Sequence, residues 1–193
     1  MKLSMKLVVA GAVLAAVCFN ASARKMYLIN FDKGGMPNDS ANCEFALSED
    51  KAPKGQIYLK ITTKTPTAND YYWCGEFGPK KANWDGYDVV KFDYFNESKT
   101  PVSSALSIRP QGSDYNTRLD ANFVMRPGKG SVEIEIAGAC SNGGSPLDFK
   151  IPLKQWGLTG QGSVVFHIGN ITLETNEDDK DAKKDEKKDT KKK

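Results

Sequence analysis

The feature that most constrains the fold of this chain is a run of short alternating segments between Trp84 and Gly138. In the segment from Ser131 to Ile136, the apolar residues Val132, Ile134 and Ile136 alternate with polar ones. Neighbouring segments show the same period of two, and each ends at Gly, Pro, Asn or Ser. This period places one face of a strand on a core and the other in water. The stretch therefore predicts antiparallel β-strands.

Segments of the same kind occur on both sides of this stretch. Residues 152–162, which contain Trp156, lack the pattern and predict a short helical turn or an irregular crossing. Short strands with hardly any helical periodicity predict an all-β fold, an antiparallel β-sandwich or barrel. The additional predicted strands cover residues 26–31, 42–47, 56–63, 70–77 and 163–173.

The last predicted strand contains a change of phase. Val164, Phe166 and Ile168 share one face, whereas Ile171 and Leu173 fall on the opposite one. One extra residue at positions 169–170 would return all five side chains to the same face. The sequence therefore predicts a β-bulge at this point.

The first 23 residues have the features of a Sec-type signal peptide. Lys2 and Lys6 precede an apolar run at 7–19, which is too short to span a bilayer, and Ala21 and Ala23 supply the small residues of a cleavage site. Cleavage would leave 25 basic residues against 24 acidic ones, without a basic stripe, which argues against nucleic acid as a partner. We therefore expect a secreted or periplasmic protein without a transmembrane segment after cleavage, with one domain at 24–173.

Residues 174–193 contain eight acidic residues and eight lysines and no apolar residue larger than Ala182. Such a segment cannot bury enough apolar surface to offset the cost of ordering, so we expect a disordered tail. Its late lysines leave open a weak electrostatic attraction to an anionic surface, which salt would screen.

Three cysteines remain after cleavage, and export favours a disulfide. Cys43 and Cys74 lie within predicted strands of the first half, so we expect this pair to form the disulfide and Cys140 to be left over. A metal site built from cysteines is disfavoured, because the spacings do not suit one and the chain has one histidine.

Three motifs, in this order along the chain, resemble those of the galactose-binding-like jelly-roll domains that occur as carbohydrate-binding modules. The segment from Asn30 to Gly34 resembles their opening strand and turn, and that from Asn83 to Asn96 resembles their aromatic-Gly-Tyr-Asp entry to a core strand. The segment from Phe166 to Leu173 resembles their closing strand. The resemblance covers residues 26–173 and implies a jelly-roll sandwich that binds a poly- or oligosaccharide.

Many domains of this kind hold a structural calcium ion between the first and last strands. The resemblance implies Asp32 and Asn170 as ligands here. Gly169, however, stands where these domains often place an aspartate, and calcium requires six to eight oxygen ligands. No other cofactor is expected.

Sugar-binding surfaces combine flat aromatic rings, which stack on a pyranose, with planar polar groups. Trp73, with Tyr71 or Tyr72, is the predicted platform, and Trp156 is a further candidate. A buried role in the core is the open alternative for Trp73 and Trp156.

Arg109 and Arg118 flank a polar turn that contains Tyr115. If the three side chains face the same way, they form a polar patch for a hydroxylated or acidic sugar, because a guanidinium offers a rigid fork of donors. Solvated arginines on a strand face are the alternative.

The sequence shows no catalytic triad, phosphate loop or metal-ligand cluster, and its one histidine, His167, lies among apolar residues of a predicted strand. A non-catalytic domain is therefore expected, ahead of a jelly-roll glycoside hydrolase or polysaccharide lyase. The second hypothesis is an assembly protein of the cell envelope that uses the same sandwich without a sugar site and binds a partner protein.

Overall fold

The computed structural model describes residues 24–110 and 114–176. These residues form two antiparallel sheets that pack face to face, so the predicted β-sandwich is confirmed. No helix in these two ranges is long and apolar enough to cross a bilayer. The strands are β1 (Lys25–Ile29), β2 (Asp39–Ala41), β3 (Cys43–Ser48), β4 (Tyr58–Thr63), β5 (Tyr71–Phe77), β6 (Val89–Asn96), β7 (Val102–Arg109), β8 (Leu119–Met125), β9 (Gly128–Glu135), β10 (Gln155–Gln161), β11 (Val165–Ile168) and β12 (Ile171–Glu174).

The larger sheet has seven strands, in the order β1-β12-β6-β11-β4-β3, with β9 on the other edge of β6. Both β11 and β12 pair with the same edge of β6. Ile168 lies opposite Tyr94, but Thr172 lies opposite Lys91, so the closing segment contains one residue more than its partner. The bulge predicted at residues 169–170 is confirmed, and it keeps the apolar side chains on both sides of it in the core.

The smaller sheet has five strands, in the order β2-β5-β10-β7-β8. Its central strand, β10, lies in the segment where a helical turn or an irregular crossing was predicted, and that prediction is wrong. The strand pairs along its length with β5 and with β7. Its sequence contains Gly157 and Gly160 and only two large apolar residues, Trp156 and Leu158, so alternation alone gives a weak signal.

The core lies between the two sheets. Side chains at alternate positions of the central strands point into it, and burial of their apolar groups is the main favourable contribution to folding. The stacked rings of Trp84 and Phe149 extend the core beyond the sheets. The largest side chains that are fully buried are Trp84, Trp156, Tyr72, Phe31, Phe166, Leu59, Ile61, Leu106, Ile108, Met125, Ile136 and Leu158.

The folded domain extends further than the predicted boundary at residue 173. Glu174 belongs to β12, and the backbone N–H of Thr175 donates to the Arg24 carbonyl at 3.1 Å. The N–H of Asn176 donates to a carboxylate oxygen of Asp88 at 2.8 Å. These bonds place residues 174–176 in the domain. The predicted signal peptide at 1–23 and the rest of the predicted tail, 177–193, lie outside the described residues.

The predicted disulfide is not formed in this structure, because Cys43 and Cys74 are both free thiols. Cys43 Sγ instead donates to the Trp73 carbonyl oxygen at 3.0 Å, which connects β3 of the seven-stranded sheet with β5 of the five-stranded sheet. The neighbouring Cys74 thiol lowers the pKa of Cys43, whereas the Cys43 thiol and burial raise the pKa of Cys74. The third thiol, Cys140, is exposed.

Candidate functional site

A groove with a volume of about 1060 Å³ runs over the outer face of the five-stranded sheet. The groove face consists of the side chains that point away from the core, at alternate positions of β5, β7, β8 and β10. The strand register aligns them in rows across the sheet. One row is Trp73, Thr159, Ala105 and Asn122, and the next is Gly75, Gly157, Ser107 and Asp120.

Small residues occupy the outer face of the sheet between Trp73 and Asp120, among them Gly157 and Ser107. A Cβ atom on Gly157 would lie 2.8 Å from the carbonyl oxygen of Cys74 and 2.9 Å from the Trp73 ring. This spacing is too close for a side chain, so the indole lies against the bare backbone of β10.

Trp73 lies beside the groove on the same face of the sheet, and a guanidinium covers its ring. Arg109 lies over the indole, with its Cζ atom 4.3 Å from the ring centroid. The indole Nε1 donates to an Asp39 carboxylate oxygen at 2.8 Å, and Gln155 Nε2 donates to the same oxygen at 2.6 Å. Trp73 is only 9% exposed as a result, and it supports Arg109 rather than offering an open face to a sugar.

Arg109 is itself held at a fixed angle. Its Nη1 donates to Gln155 Oε1 at 2.9 Å and its Nε to Ser107 Oγ at 3.2 Å. Burial and, after it, the neighbouring charge of Arg118 lower the pKa of Arg109 below its usual value, although the group stays a cation at neutral pH. Two of its five N–H groups are engaged within the described part of the chain, so the others are available to a ligand.

Arg118 and Asp120 line the groove at the β8 edge of the sheet. Arg118 Nε donates to Asp120 Oδ2 at 2.8 Å, and Asn142 Nδ2 donates to the same oxygen at 2.9 Å. Burial alone would raise the pKa of Asp120, but the neighbouring Ser107 hydroxyl and the hydrogen bonds from Arg118 and Asn142 together hold it below its usual value. Asp120 is therefore an ionised acceptor at neutral pH.

Two aromatic rings at the groove remain open to solvent. Tyr71 is 61% exposed and Tyr115 is 60% exposed, and both line the groove. The guanidinium of Arg118 lies 5.4 Å from the Tyr115 ring centroid. The structure thus brings together four of the predicted site residues, namely Tyr71, Arg109, Tyr115 and Arg118, and places Trp73 beneath Arg109.

The prediction that Tyr72 and Trp156 contact a ligand is wrong, because both rings are fully buried. Tyr72 points into the core, where its hydroxyl hydrogen-bonds to Ser104 Oγ at 2.5 Å. Trp156 lies inside the sandwich with its ring centroid 5.9 Å from that of Trp84. Side chains alternate between the two faces of a strand, and positions 72 of β5 and 156 of β10 are among those that point into the core.

The groove also contains polar residues that the sequence analysis missed. Asp120 and Asn122 alternate along β8, and this pattern could have identified them as outward-facing. Thr159 and Gln161 lie on β10, which was not predicted as a strand, and Asn142 comes from a loop. The missed lining residues whose polar side chains point away from the core are Ser103, Asp120, Asn122, Asn142, Thr159 and Gln161.

Asp32 and Asn170, the residues implied as calcium ligands, bind each other directly. Asn170 Nδ2 donates to Asp32 Oδ2 at 2.6 Å, while Asn170 Oδ1 accepts from the N–H of Phe31 at 2.7 Å. The other Asp32 oxygen accepts from the N–H of Ile57 at 2.7 Å. Since the Phe31 donor fixes the amide with its nitrogen toward Asp32, the pair offers a donor where calcium needs an oxygen. These residues do not fit a calcium site.

No protein-family model and no curated protein matches this sequence. Solved structures do match. The carbohydrate-binding module CtCBM11 matches with a TM-score of 0.63 at 13% identity, over 81% of this chain and 98% of that chain. A family 11 module from Clostridium thermocellum, in complex with a β-1,3-1,4-mixed-linked tetrasaccharide, matches with a TM-score of 0.50 at 12% identity, over 78% and 86% of the two chains. An exo-β-agarase matches with a TM-score of 0.63 at 13% identity, over 78% of this chain and 25% of that chain.

These matches define the class of fold to which the chain belongs. It is the jelly-roll β-sandwich that occurs in carbohydrate-binding modules, and the predicted resemblance is confirmed at the level of the fold.

Proposed function

We propose that this protein is a non-catalytic carbohydrate-binding domain, and that the groove on the five-stranded sheet binds an oligosaccharide segment of a polysaccharide. The observation that carries the proposal is the combination of exposed tyrosines with fixed planar polar groups in one open groove. Tyr71 and Tyr115 supply apolar ring faces for pyranose stacking. Arg109, Asp120 and Asn122 supply donors and acceptors for hydroxyl groups.

The preorganisation of the polar groups supports binding. Arg109 is held by Gln155 and Trp73, and Asp120 is held by Arg118 and Asn142. A ligand therefore does not have to order these side chains, and ordering costs about 0.5–1.5 kcal/mol for each flexible side chain at an interface. The two arginines are balanced by Asp39 and Asp120, which favours a neutral sugar over a highly charged one.

The composition of the groove also favours binding over hydrolysis. Asp120 is the one carboxylate among the described lining residues, and its pKa is held below the usual value. Glycoside hydrolysis ordinarily requires two carboxyl groups about 5–10 Å apart, one of them with a raised pKa so that it can donate a proton. A single ionised aspartate does not supply this pair.

The test is affinity electrophoresis and calorimetry with soluble polysaccharides, beginning with mixed-linked β-1,3-1,4-glucan and including agarose oligosaccharides and an acidic glycan. We expect binding to at least one neutral polysaccharide. Tyr71→Ala should weaken that binding by about 5- to 30-fold, corresponding to about 1–2 kcal/mol for a stacked ring.

Phe77→Ala is the matched control. Phe77 lies on the same face of the same strand as Tyr71 and is 65% exposed, but it does not line the groove. It should leave affinity unchanged. Absence of binding to every polysaccharide would overturn the proposal, and an equal loss in the two variants would exclude the groove as the site.

We further propose that the protein acts outside the cytoplasm. This rests on the apolar run at residues 7–19 and the small residues before Arg24 in the sequence. N-terminal sequencing of the protein recovered from the medium or the periplasm would test it, with Arg24 expected as the first residue.

A further inference from the structure

A second cluster of polar groups lies on the seven-stranded sheet, away from the groove. Asp50, Glu97 and His167 each offer one ligand atom, and these three atoms lie within 4.8 Å of one another. Asp50 belongs to the segment between β3 and β4, Glu97 follows β6, and His167 lies on β11. The topology therefore joins three separate parts of the chain at this point.

His167 is unusual for its position on the sheet. Its neighbours Phe166 and Ile168 point into the core, so its own ring faces the outer side of the sheet, yet the residue is fully buried. The ring of Phe95 packs against it in an edge arrangement with a centroid distance of 6.3 Å. An imidazole enclosed on the outer face of a sheet requires a physical reason.

Hydrogen bonding accounts for the burial of only one of the two ring nitrogens of His167. Nε2 lies 2.5 Å from Glu97 Oε1, which directs this edge of the ring at the carboxylates. Nδ1 is buried and has no partner within the described part of the chain. A buried polar atom without a partner costs about 1–3 kcal/mol, so hydrogen bonding alone does not account for burial of the ring.

We propose that Asp50, Glu97 and His167 bind a divalent transition-metal ion of the Zn²⁺ type. One imidazole nitrogen and two carboxylate oxygens form a ligand set that such ions accept, and water would complete the coordination. A nitrogen ligand disfavours calcium, which takes oxygen ligands. Asp50 and Glu97 are exposed at their outer ends, so an ion can enter from solvent.

Two lysines lie next to the carboxylates of this site. Replacing one of them should change metal affinity in the direction opposite to the loss of a ligand. Lys60 Nζ lies 3.9 Å from the Glu97 oxygen that faces His167, and Lys51 Nζ lies 3.3 Å from an Asp50 oxygen. Each ammonium group competes with a bound cation for its carboxylate. Removing the charge of Lys60 should therefore strengthen metal binding.

The experiment is a Zn²⁺ titration followed by NMR and calorimetry. The chain contains one histidine, so the imidazole signals report on His167 alone. We expect these signals to shift on addition of Zn²⁺. Asp50→Asn and Glu97→Gln should weaken binding by at least about 10- to 100-fold, and Lys60→Gln should strengthen it.

Asp93→Asn is the control, because Asp93 is an exposed acid on β6 outside the cluster, and it should leave Zn²⁺ affinity unchanged. The substituted residues are exposed or half-exposed, so unchanged melting temperatures in the absence of metal should confirm that the variants fold. Imidazole signals that do not move with Zn²⁺ would overturn the proposal. Equal affinity of the parent, Asp50→Asn and Glu97→Gln would overturn it as well, whatever the outcome of the sugar-binding experiment.

Discussion

Oxidation should join Cys43 to Cys74 and stabilise the sandwich. Cys43 Sγ already bonds to the carbonyl oxygen of Trp73, the residue next to Cys74, and the two thiols are close enough to shift each other's pKa. Cys43 is the group that should react first, because it is half-exposed and the neighbouring Cys74 thiol lowers its pKa, which increases its thiolate fraction. The disulfide would therefore connect the seven-stranded sheet to the five-stranded sheet.

The expected size of this effect follows from the length of chain that the bond closes. A loop of about 31 residues gives about 3–4 kcal/mol on the chain-entropy model. A change of 1 kcal/mol shifts the melting temperature of a domain of this size by about 2–4 °C. The oxidised protein should therefore melt about 10 °C above the reduced one.

The assay compares thermal melts with and without reductant in a Cys140→Ser background, which removes the exposed thiol and prevents its exchange. Thiol counts in denaturant should fall by two on oxidation. Cys43→Ser should melt at the same temperature with and without reductant. Coincident melts of the oxidised and reduced Cys140→Ser protein, or two thiols that stay reactive after oxidation, would refute the reasoning.

Three further results are expected. Asp32→Ala should lower the free energy of unfolding, measured in urea, by about 1–3 kcal/mol, because it removes the hydrogen bonds to Ile57 and Asn170. Calcium should leave the melting temperature of the parent protein unchanged, and a rise with calcium would contradict the direct pairing of Asp32 with Asn170. Burial raises the pKa of Tyr72 to about 12, so its contribution to stability is complete below pH 10, where the unfolded residue is neutral, and is lost as the pH rises from 10 to 12. Tyr72→Phe should remove about 2–3 kcal/mol of that pH-dependent loss, measured by denaturant unfolding across this range. Gly157→Ala should destabilise the protein by about 1–3 kcal/mol, since the added Cβ atom would collide with the backbone of β5. An unchanged urea midpoint would count against this close approach of the two strands.

Local pattern was sufficient to predict the parts of the fold in which one face of a strand is apolar. The alternation at Val132 and Ile134 identified β9, and the phase change between Ile168 and Ile171 identified the bulge. In both cases the information lies in neighbouring residues, because the inward and outward faces of a strand are set by parity.

The parts that were missed depend on contacts between distant residues. β10 has glycine at residue 157 because β5 and the Trp73 ring approach it closely, and that requirement weakens its strand signal. The parity of β5 was readable, but its inward face was ambiguous because Tyr72 and Trp73 are both large and aromatic. Trp73 is buried on the outward face, where Arg109, 36 positions further along the chain, covers its ring.

The two ends of the folded domain lie side by side. The Arg24 N–H donates to Thr175 Oγ1 at 2.9 Å, and the Thr175 N–H donates back to the Arg24 carbonyl at 3.1 Å. Both residues flank strands of the seven-stranded sheet, whereas the groove lies on the five-stranded one. The domain could therefore be inserted into a surface loop of a host enzyme through these two adjacent ends. A long polymer could still bind along the groove, on the sheet that faces away from the point of insertion.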